Sequence, residues 1–359
     1  MNHALYKLQI CVAALLACLS ILVPLSYAQV AKVKDFDLDP HRDRRVLFDM
    51  AVTPTKEVLS LVAKDTGEWE LYRAANWLDQ KPTIEKLPLP GFFSKRDSKR
   101  DGKPIETMRA QVFATRDGKY AICVGSAEWL KRVSGWAVGH ATSDDVISVV
   151  DLSTFKIVAT AQTESFELLE FHGVVLDDDG FVRVESSSSG LKHGAFVRLS
   201  IPSLEAGPKC AYDWIEDSPG KRYPQPTTDE ECHEILKTRA LGDYLHEGQV
   251  LSAQNVKVCV NNNSEFCHIP GELTADGKFG VGHRSDGHDN FFGSWVTTSN
   301  SYVIFSASRG IDIGEIKEPT NDSFHSSLAS VRGQDYLLVL QSGTHLMVYE
   351  LQDRASVPN

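Results

Sequence analysis

The chain lacks the short signatures that mark most catalysts. It has no G-x-S-x-G elbow, no phosphate-binding loop, no C-x-x-C-H haem site and no C-x-x-C pair. Gly280-Val281-Gly282 is followed by Ser285 where a dinucleotide fingerprint needs a third glycine. His233-Glu234 opens like a zinc-protease helix, but Lys237 stands where the second histidine ligand belongs. These absences exclude enzymes recognisable from one contiguous motif. They leave open folds whose sites gather residues from separate repeats.

Positive charge is also scarce. Lys and Arg number 37 against 48 Asp and Glu, a net charge of -11, and such a surface repels phosphate backbones, so no nucleic acid is expected as a partner. The one basic cluster, KRDSKRDGK at 95–103, is interleaved with aspartates and reads as a solvated loop. With 42% hydrophobic and 24% charged residues, the composition is that of an ordinary globular chain, for which disorder is not the default, and can fill a large core.

The long apolar run is confined to the N-terminus. Lys7 precedes an apolar stretch from Leu8 to Leu25, and Ser26-Tyr27-Ala28 offers the small residues a signal peptidase needs. Residues 1–28 are therefore expected to be an export signal, giving an extracytoplasmic protein (periplasmic or secreted) over 29–359. Two alternatives compete. The run is long enough to remain as an anchor, in which case the membrane becomes a partner, and Leu15-Leu16-Ala17-Cys18 matches a lipoprotein box, although the apolar run continues past it.

Five cysteines follow this segment. Cys259 and Cys267 flank VNNNSEF, and Cys210 and Cys232 flank a Pro-rich stretch, so pairings 259–267 and 210–232 are expected. Cys123 lies inside the apolar run YAICVG and reads as a small buried hydrophobe.

Strand patterns fill the rest. In 111–163, FAT and YAICVG are split by Asp117-Gly118, which predicts a two-residue hairpin turn, and VISVVDL and FKIVATA are split by Ser153-Thr154. This stretch resembles the YVTN-type repeat of secreted bacterial β-propellers, with its DGK turn followed by VSVVD-L-T-KIVAT. The resemblance covers one blade and implies a propeller fold without implying an activity. Independently of it, VLFDMAV, EVLSLVA, WELYRAA and TIEKLPL form four strand-like runs ended by Pro88 and Pro90. The turns at Lys56, Gly118 and Gly180 are evenly spaced, as in a repeat.

The expected fold is all-β, a single β-propeller domain of four-stranded blades. Repeat spacing from Lys56 to Gly333 favours six blades, whereas the YVTN resemblance implies seven. Residues 30–38 alternate apolar and polar side chains without a hairpin partner, and are expected to close the ring against HLMVYEL near the C-terminus.

Two segments carry candidate chemistry, and both read as loops after a blade's second strand. Residues 126–144 hold Trp129, Trp136 and His140, which suit stacking on a glycan or peptide; alternatively, both indoles cover the blade end. Residues 283–292, HRSDGHDNFF, hold His283, Asp286, His288 and Asp289, donors suited to a divalent metal such as zinc or manganese; alternatively, they form an ordinary polar loop. The function expected from these readings is binding of a protein, peptide or glycan through one loop face. A metal-assisted, lactonase-like hydrolase is the alternative, with a quinone-dependent dehydrogenase behind it.

Overall fold

The computed structural model describes residues 29–39, 45–64, 68–89, 99–100, 103–104, 107–133, 136–162, 173–176, 182–187, 193–218, 221–226, 232, 258–259, 267–268, 272–274, 276–289, 295–306, 311–317 and 324–352. Almost all of these residues lie in strands or the turns between them. The first strand, β1 (Gln29–Asp37), is followed by β2 (Arg45–Val52), β3 (Val58–Lys64), β4 (Trp69–Ala75) and β5 (Thr83–Leu89), which pair in that order as sheet I. After the two-residue ladder β6 (Lys99–Arg100) and β7 (Lys103–Pro104), sheet II is built from β8 (Thr107–Ala114), β9 (Tyr120–Val133), β10 (Trp136–Asp151) and β11 (Lys156–Gln162).

Sheet III runs through β12 (Gly173–Leu176), β13 (Val182–Ser187), β14 (His193–Leu199), β15 (Ala206–Ser218) and β16 (Lys221–Pro226). A short pair, β17 (Val258–Cys259) and β18 (Cys267–His268), precedes sheet IV, which comprises β19 (Glu272–Leu273), β20 (Phe279–Asp289), β21 (Trp295–Ser306) and β22 (Ile311–Lys317). Finally β23 (Phe324–Val331), β24 (Gln334–Gln341) and β25 (His345–Gln352) form sheet V, whose fourth strand is β1.

The chain's own strand pattern explains sheet I. VLSLVAK and WELYRAA are mostly apolar rather than strictly alternating, and nearly every described side chain in them is buried, because sheet I is covered on both faces by its neighbours. Leu59, Leu61 and Leu71 pack with Ala114, Ala121 and Cys123 of sheet II, while Val58, Val62, Tyr72 and Trp77 pack with Leu338, Leu340 and Val348 of sheet V. Beyond these, Ile122, Val124 and Ile147 of sheet II meet Val197 and Leu199 of sheet III, and Phe279, Val281 and Ile304 of sheet IV meet Leu337 and Val339 of sheet V. The packing order is therefore IV, V, I, II, III.

Strands also have a consistent inner and outer side. The first strands of adjacent sheets touch one another, β19 with β23, β23 with β2, and β2 with β8. The last strands face water, as the alternating exposure of β5 and β11 shows. Sheets radiating in this way from their first strands give a propeller-like arrangement.

The N-terminal segment joins the chain's last hairpin as expected. β1 pairs antiparallel with β25 from Gln29 opposite Gln352 to Asp37 opposite His345, completing sheet V and covering an edge that would otherwise stand open. Val30 rests on Gly314 of sheet IV so closely that a Cβ there would lie 2.6 Å from its side chain. Past β1, Asp39 is held by the Tyr72 hydroxyl, 2.7 Å away, beside buried Glu70, 2.6 Å from the same hydroxyl, with the exposed Lys86 ammonium 2.7 Å from Glu70. A phenol has one proton, so it donates to one of the two carboxylates at a time. Burial, and then the hydrogen bonds to Glu70 and Asp39, push its pKa far up.

Three expectations are corrected. Sheet III has five strands rather than four, because the Pro-rich stretch after Cys210 is the hairpin β15–β16, with Pro224 and Pro226 on the outermost strand where no partner needs their N–H. The Asp117-Gly118 connection is not a two-residue turn: residues 116–119 lie between paired Thr115 and Tyr120. Residues 126–144 and 283–289 are largely strand, not loop. The turn at Gly180 and most of residues 234–269 lie outside the described residues.

Candidate functional site

Turns between first and second strands define one face of the molecule. Thr115 Nα donates to Tyr120 O (2.9 Å), Thr115 Oγ1 donates to Asp117 Oδ1 (2.7 Å) and accepts from Tyr120 N (3.0 Å), and Asp117 Oδ1 also accepts from Lys119 N (3.0 Å). Thr274, Asp276, Lys278 and Phe279 of sheet IV repeat each of these contacts, at 2.9, 2.8, 3.1 and 3.0 Å for the corresponding bonds. In sheet I, Thr53 takes the same place and Lys56 adopts the left-handed φ of 68° that Gly118 and Gly277 adopt in the other two.

Neighbouring turns of this kind lie side by side. Pro54 sits against Gly118, where a Cβ would be 3.7 Å from its ring. Trp77 donates from Nε1 to Lys56 O (2.6 Å) and meets Tyr336, beside the β23–β24 turn, edge-on with centroids 5.5 Å apart. Burial pushes the Asp335 carboxyl up, the Ser330 hydrogen bond opposes this, and the negative charge of Asp276 in the next sheet's turn adds to it. The turns of IV, V, I and II thus share one face.

Because adjacent strands are antiparallel, connections between second and third strands emerge on the opposite face. In sheet V this connection is the tight turn at Ser342 and Gly343, which packs on Phe48 and Val62 of sheet I, where a Cβ on Gly343 would stand 3.0 Å from Phe48. Sheets II and IV differ. The β9–β10 ladder continues from Ser126 opposite Asp145 to Val133 opposite Trp136, a protrusion of roughly 23 Å at the usual strand rise. The β20–β21 ladder runs on through His283 opposite Tyr302 to Asp289 opposite Trp295. Both candidate segments lie on this common face, on sheets separated by V and I.

Within the first hairpin, Trp136 stands at the tip and Trp129 is opposite Thr142. His140 falls in a bulge: between Ala137 and Ala141 the β10 backbone carries extra residues against β9. Bulges of this kind bend a strand and re-aim the residues in it. Within the second, His283 and Asp289 hold positions of one parity along β20, whereas Asp286 and His288 hold the other. An extended strand also spreads the four over roughly 20 Å, so they do not form one cluster as a compact loop would. The pair Asp286 and His288 remains two positions apart on one strand. A further irregularity lies between Asp286 and Gly287, where the β21 partner skips from Ser299 to Thr297. The side chains of these segments lie outside the described residues. Among the described residues, no group of three or more His, Cys, Asp or Glu stands together as a metal site, and no helix is long and apolar enough to cross a membrane.

One polar group near the axis was not anticipated from sequence. Asp49, on β2, accepts from Val112 N of β8 through Oδ2 (2.8 Å) and stands with Oδ1 3.3 Å from His325 Nδ1 of β23. It thereby links the first strands of three adjacent sheets. Phe48 meets the same imidazole edge-on at 5.0 Å. The signal was present in VLFDMAV, an acid in the middle of an apolar strand, where burial demands partners.

The cysteine pattern agrees in part. Cys210 of β15 is bonded to Cys232, with Cα atoms 5.6 Å apart, and Cys123 is free and buried between sheets I and II, where desolvation, and then Asp49, push its thiol well up, so it packs as a hydrophobe.

No protein-family model matches the chain, and no curated protein does. The YVTN-type resemblance therefore rests on residues 111–163 alone. Solved structures that it is similar to include TolB from Acinetobacter baumannii, 12% identical with a TM-score of 0.26 over 88% of this chain and 58% of that one. The β-propeller domain of the Trilobed protease from Pyrococcus furiosus gives 8% and 0.28 over 83% of this chain and 80% of that one. A complex of KlAtg21 with the coiled coil of AgAtg16 gives 10% and 0.29 over 86% and 95%. The chain thus spans less than two thirds of the TolB chain.

Proposed function

We propose that the chain is an exported six-bladed β-propeller, with 29–359 as one domain, that binds a protein, peptide or glycan through the face carrying the β9–β10 and β20–β21 hairpins. The observation that carries this reading is the unequal treatment of one connection. Joining second to third strands takes a tight turn in sheet V, yet two long ladders in sheets II and IV. Extending a ladder beyond its sheet orders many residues at an entropic cost of about 1 kcal/mol or more each, an outlay that recognition would explain. Trp129 and Trp136 would supply apolar contact area, with His140 and the polar residues of β20 supplying hydrogen bonds.

Six blades fit the five larger sheets if the stretch containing β17 and β18, between sheets III and IV in the chain, belongs to another. Export is supported by the leader-like residues 1–28 and by the Cys210–Cys232 bond, a feature of oxidising compartments.

A metal-assisted hydrolase is the second reading, favoured by Asp286 and His288 at alternate positions of one strand. The test is to incubate labelled protein with glycan and peptide arrays and to measure its metal content after purification. Selective array binding without stoichiometric metal supports the binding reading. A stoichiometric zinc or manganese that disappears in an Asp286→Ala, His288→Ala variant, with no array binding, replaces it by the hydrolase.

A further inference from the structure

Between sheets III and IV, β17 and β18 pair with Val258 opposite His268 and Cys259 opposite Cys267. Directly paired positions of an antiparallel ladder have Cα atoms roughly 4.5–5.5 Å apart, inside the range a disulfide spans. The intervening VNNNSEF contains three consecutive asparagines and no other cysteine, a composition suited to turning the chain back. None of the other three cysteines of residues 29–359 is open to exchange: Cys210 and Cys232 are bonded to each other, and Cys123 is buried between sheets I and II.

We propose that Cys259 and Cys267 form a second disulfide, which closes this hairpin and fixes it beside β20, the strand that β18 contacts. The staple would hold the hairpin next to the strand bearing His283, Asp286 and His288 whatever the ligand of that face. Formation proceeds by thiol–disulfide exchange with a disulfide-bearing oxidant. One cysteine thiolate attacks the oxidant's S–S bond and releases a thiolate, and the second cysteine then attacks the mixed disulfide. One S–S bond forms in the protein and one is reduced to two thiols in the oxidant, which takes up both electrons and both protons. The proposal rests on the exported reading only for the supply of that oxidant.

Trypsin cuts after Lys257 and Lys278, so both cysteines fall in one peptide, 258–278. After the unreduced, unfolded protein is blocked with an alkylating reagent, this peptide is expected unalkylated and lighter by two hydrogens than its reduced form. Cleavage after Glu265 should then leave two fragments joined until reductant is added, and Cys259→Ser should make Cys267 alkylatable. Recovery of 258–278 carrying two alkyl groups, in protein whose Cys210–Cys232 bond is intact, overturns the proposal while leaving export standing. Recovery of all four cysteines alkylated overturns both.

Discussion

At one end of the strands of sheets I, II and IV, first and second strands are joined by turns built on the same threonine, with matching hydrogen bonds in II and IV. At the other end, second and third strands of sheets II, IV and V are joined by connections that differ from a tight turn to a ladder of roughly 23 Å. The first end is uniform because a turn that closes a hairpin and packs on its neighbour has few solutions: Thr115 and Thr274 each accept one backbone N–H and hold the turn's aspartate, and Gly118 takes a left-handed φ beside Pro54. The second end varies: in sheet V its tight turn packs on Phe48 and Val62 of sheet I, whereas in sheets II and IV the ladder runs on past the sheet. Stability should therefore follow changes at the uniform end and in the sheets, and recognition should follow changes at the variable end.

The largest effect should come from removing β1. Deleting residues 29–37 takes away the ladder to β25 and the packing of Phe36 and Val30, and the midpoint of thermal unfolding should drop by about 10 °C. An unchanged midpoint by calorimetry would show that sheet V is complete without it.

Replacing Arg73 by Ala should cost about 2 kcal/mol by urea titration. From β4 its guanidinium pairs with Glu85, donates to Leu152 O of sheet II and stacks on Phe155 with 4.5 Å to the ring centroid. A loss below about 0.5 kcal/mol, the level of an ordinary surface change, would remove this link between sheets I and II.

Thr115→Val tests the uniform turn itself and should destabilise by about 1 kcal/mol. The Thr115 hydrogen bond holds the Asp117 carboxyl below its ordinary value of 3.8; burial, the next largest effect, opposes it, and the hydrogen bonds from Lys119 add to it. A lowered folded pKa contributes stability that is fully present above the ordinary value and is lost as pH falls through the folded one. The gap between wild type and variant should therefore be constant near neutrality and narrow as pH falls below about 4. A gap independent of pH would mean that the threonine acts only through the backbone.

The smallest effect should be a gain. Lys56 holds the left-handed conformation that glycine occupies in the equivalent turns of sheets II and IV, so Lys56→Gly should stabilise by about 0.5 kcal/mol, the relief of backbone strain outweighing the extra freedom of the unfolded chain. Destabilisation in denaturant titration would mean that the lysine side chain contributes more than its strain.

The sheets were legible in the sequence wherever a strand had a core face. VLSLVAK, YAICVG and HLMVYEL announce themselves by apolar β-formers bounded by turn residues, and the unpartnered alternation at 30–38 identified the closing strand. The same rule hid the candidate site. A ladder carried past the end of its sheet has no core face to impose period two, so SAEWLKRVSGWAVGHATSD and HRSDGHD read as loops. The proline pair in KRYPQP disguised an outer strand, since proline is forbidden only where its N–H is needed. Asp49 leaves no mark on the apolar pattern of VLFDMAV, because its partners, Val112 N and His325, come from strands far away in sequence.

The most direct measurement compares array binding and thermal midpoints for two variants of the full chain. In one, residues 127–144 are replaced by Asn-Gly, joining Ser126 to Asp145 in the register they already share; in the other, Thr115 and Thr274 are both valine. The shortened hairpin should abolish selective glycan or peptide binding with its midpoint within about 2 °C of wild type, and the turn variant should lower the midpoint by about 4 °C while binding as wild type does below it. A shortened hairpin that binds unchanged, or a turn variant that loses binding while fully folded, would contradict the assignment of recognition to the variable face.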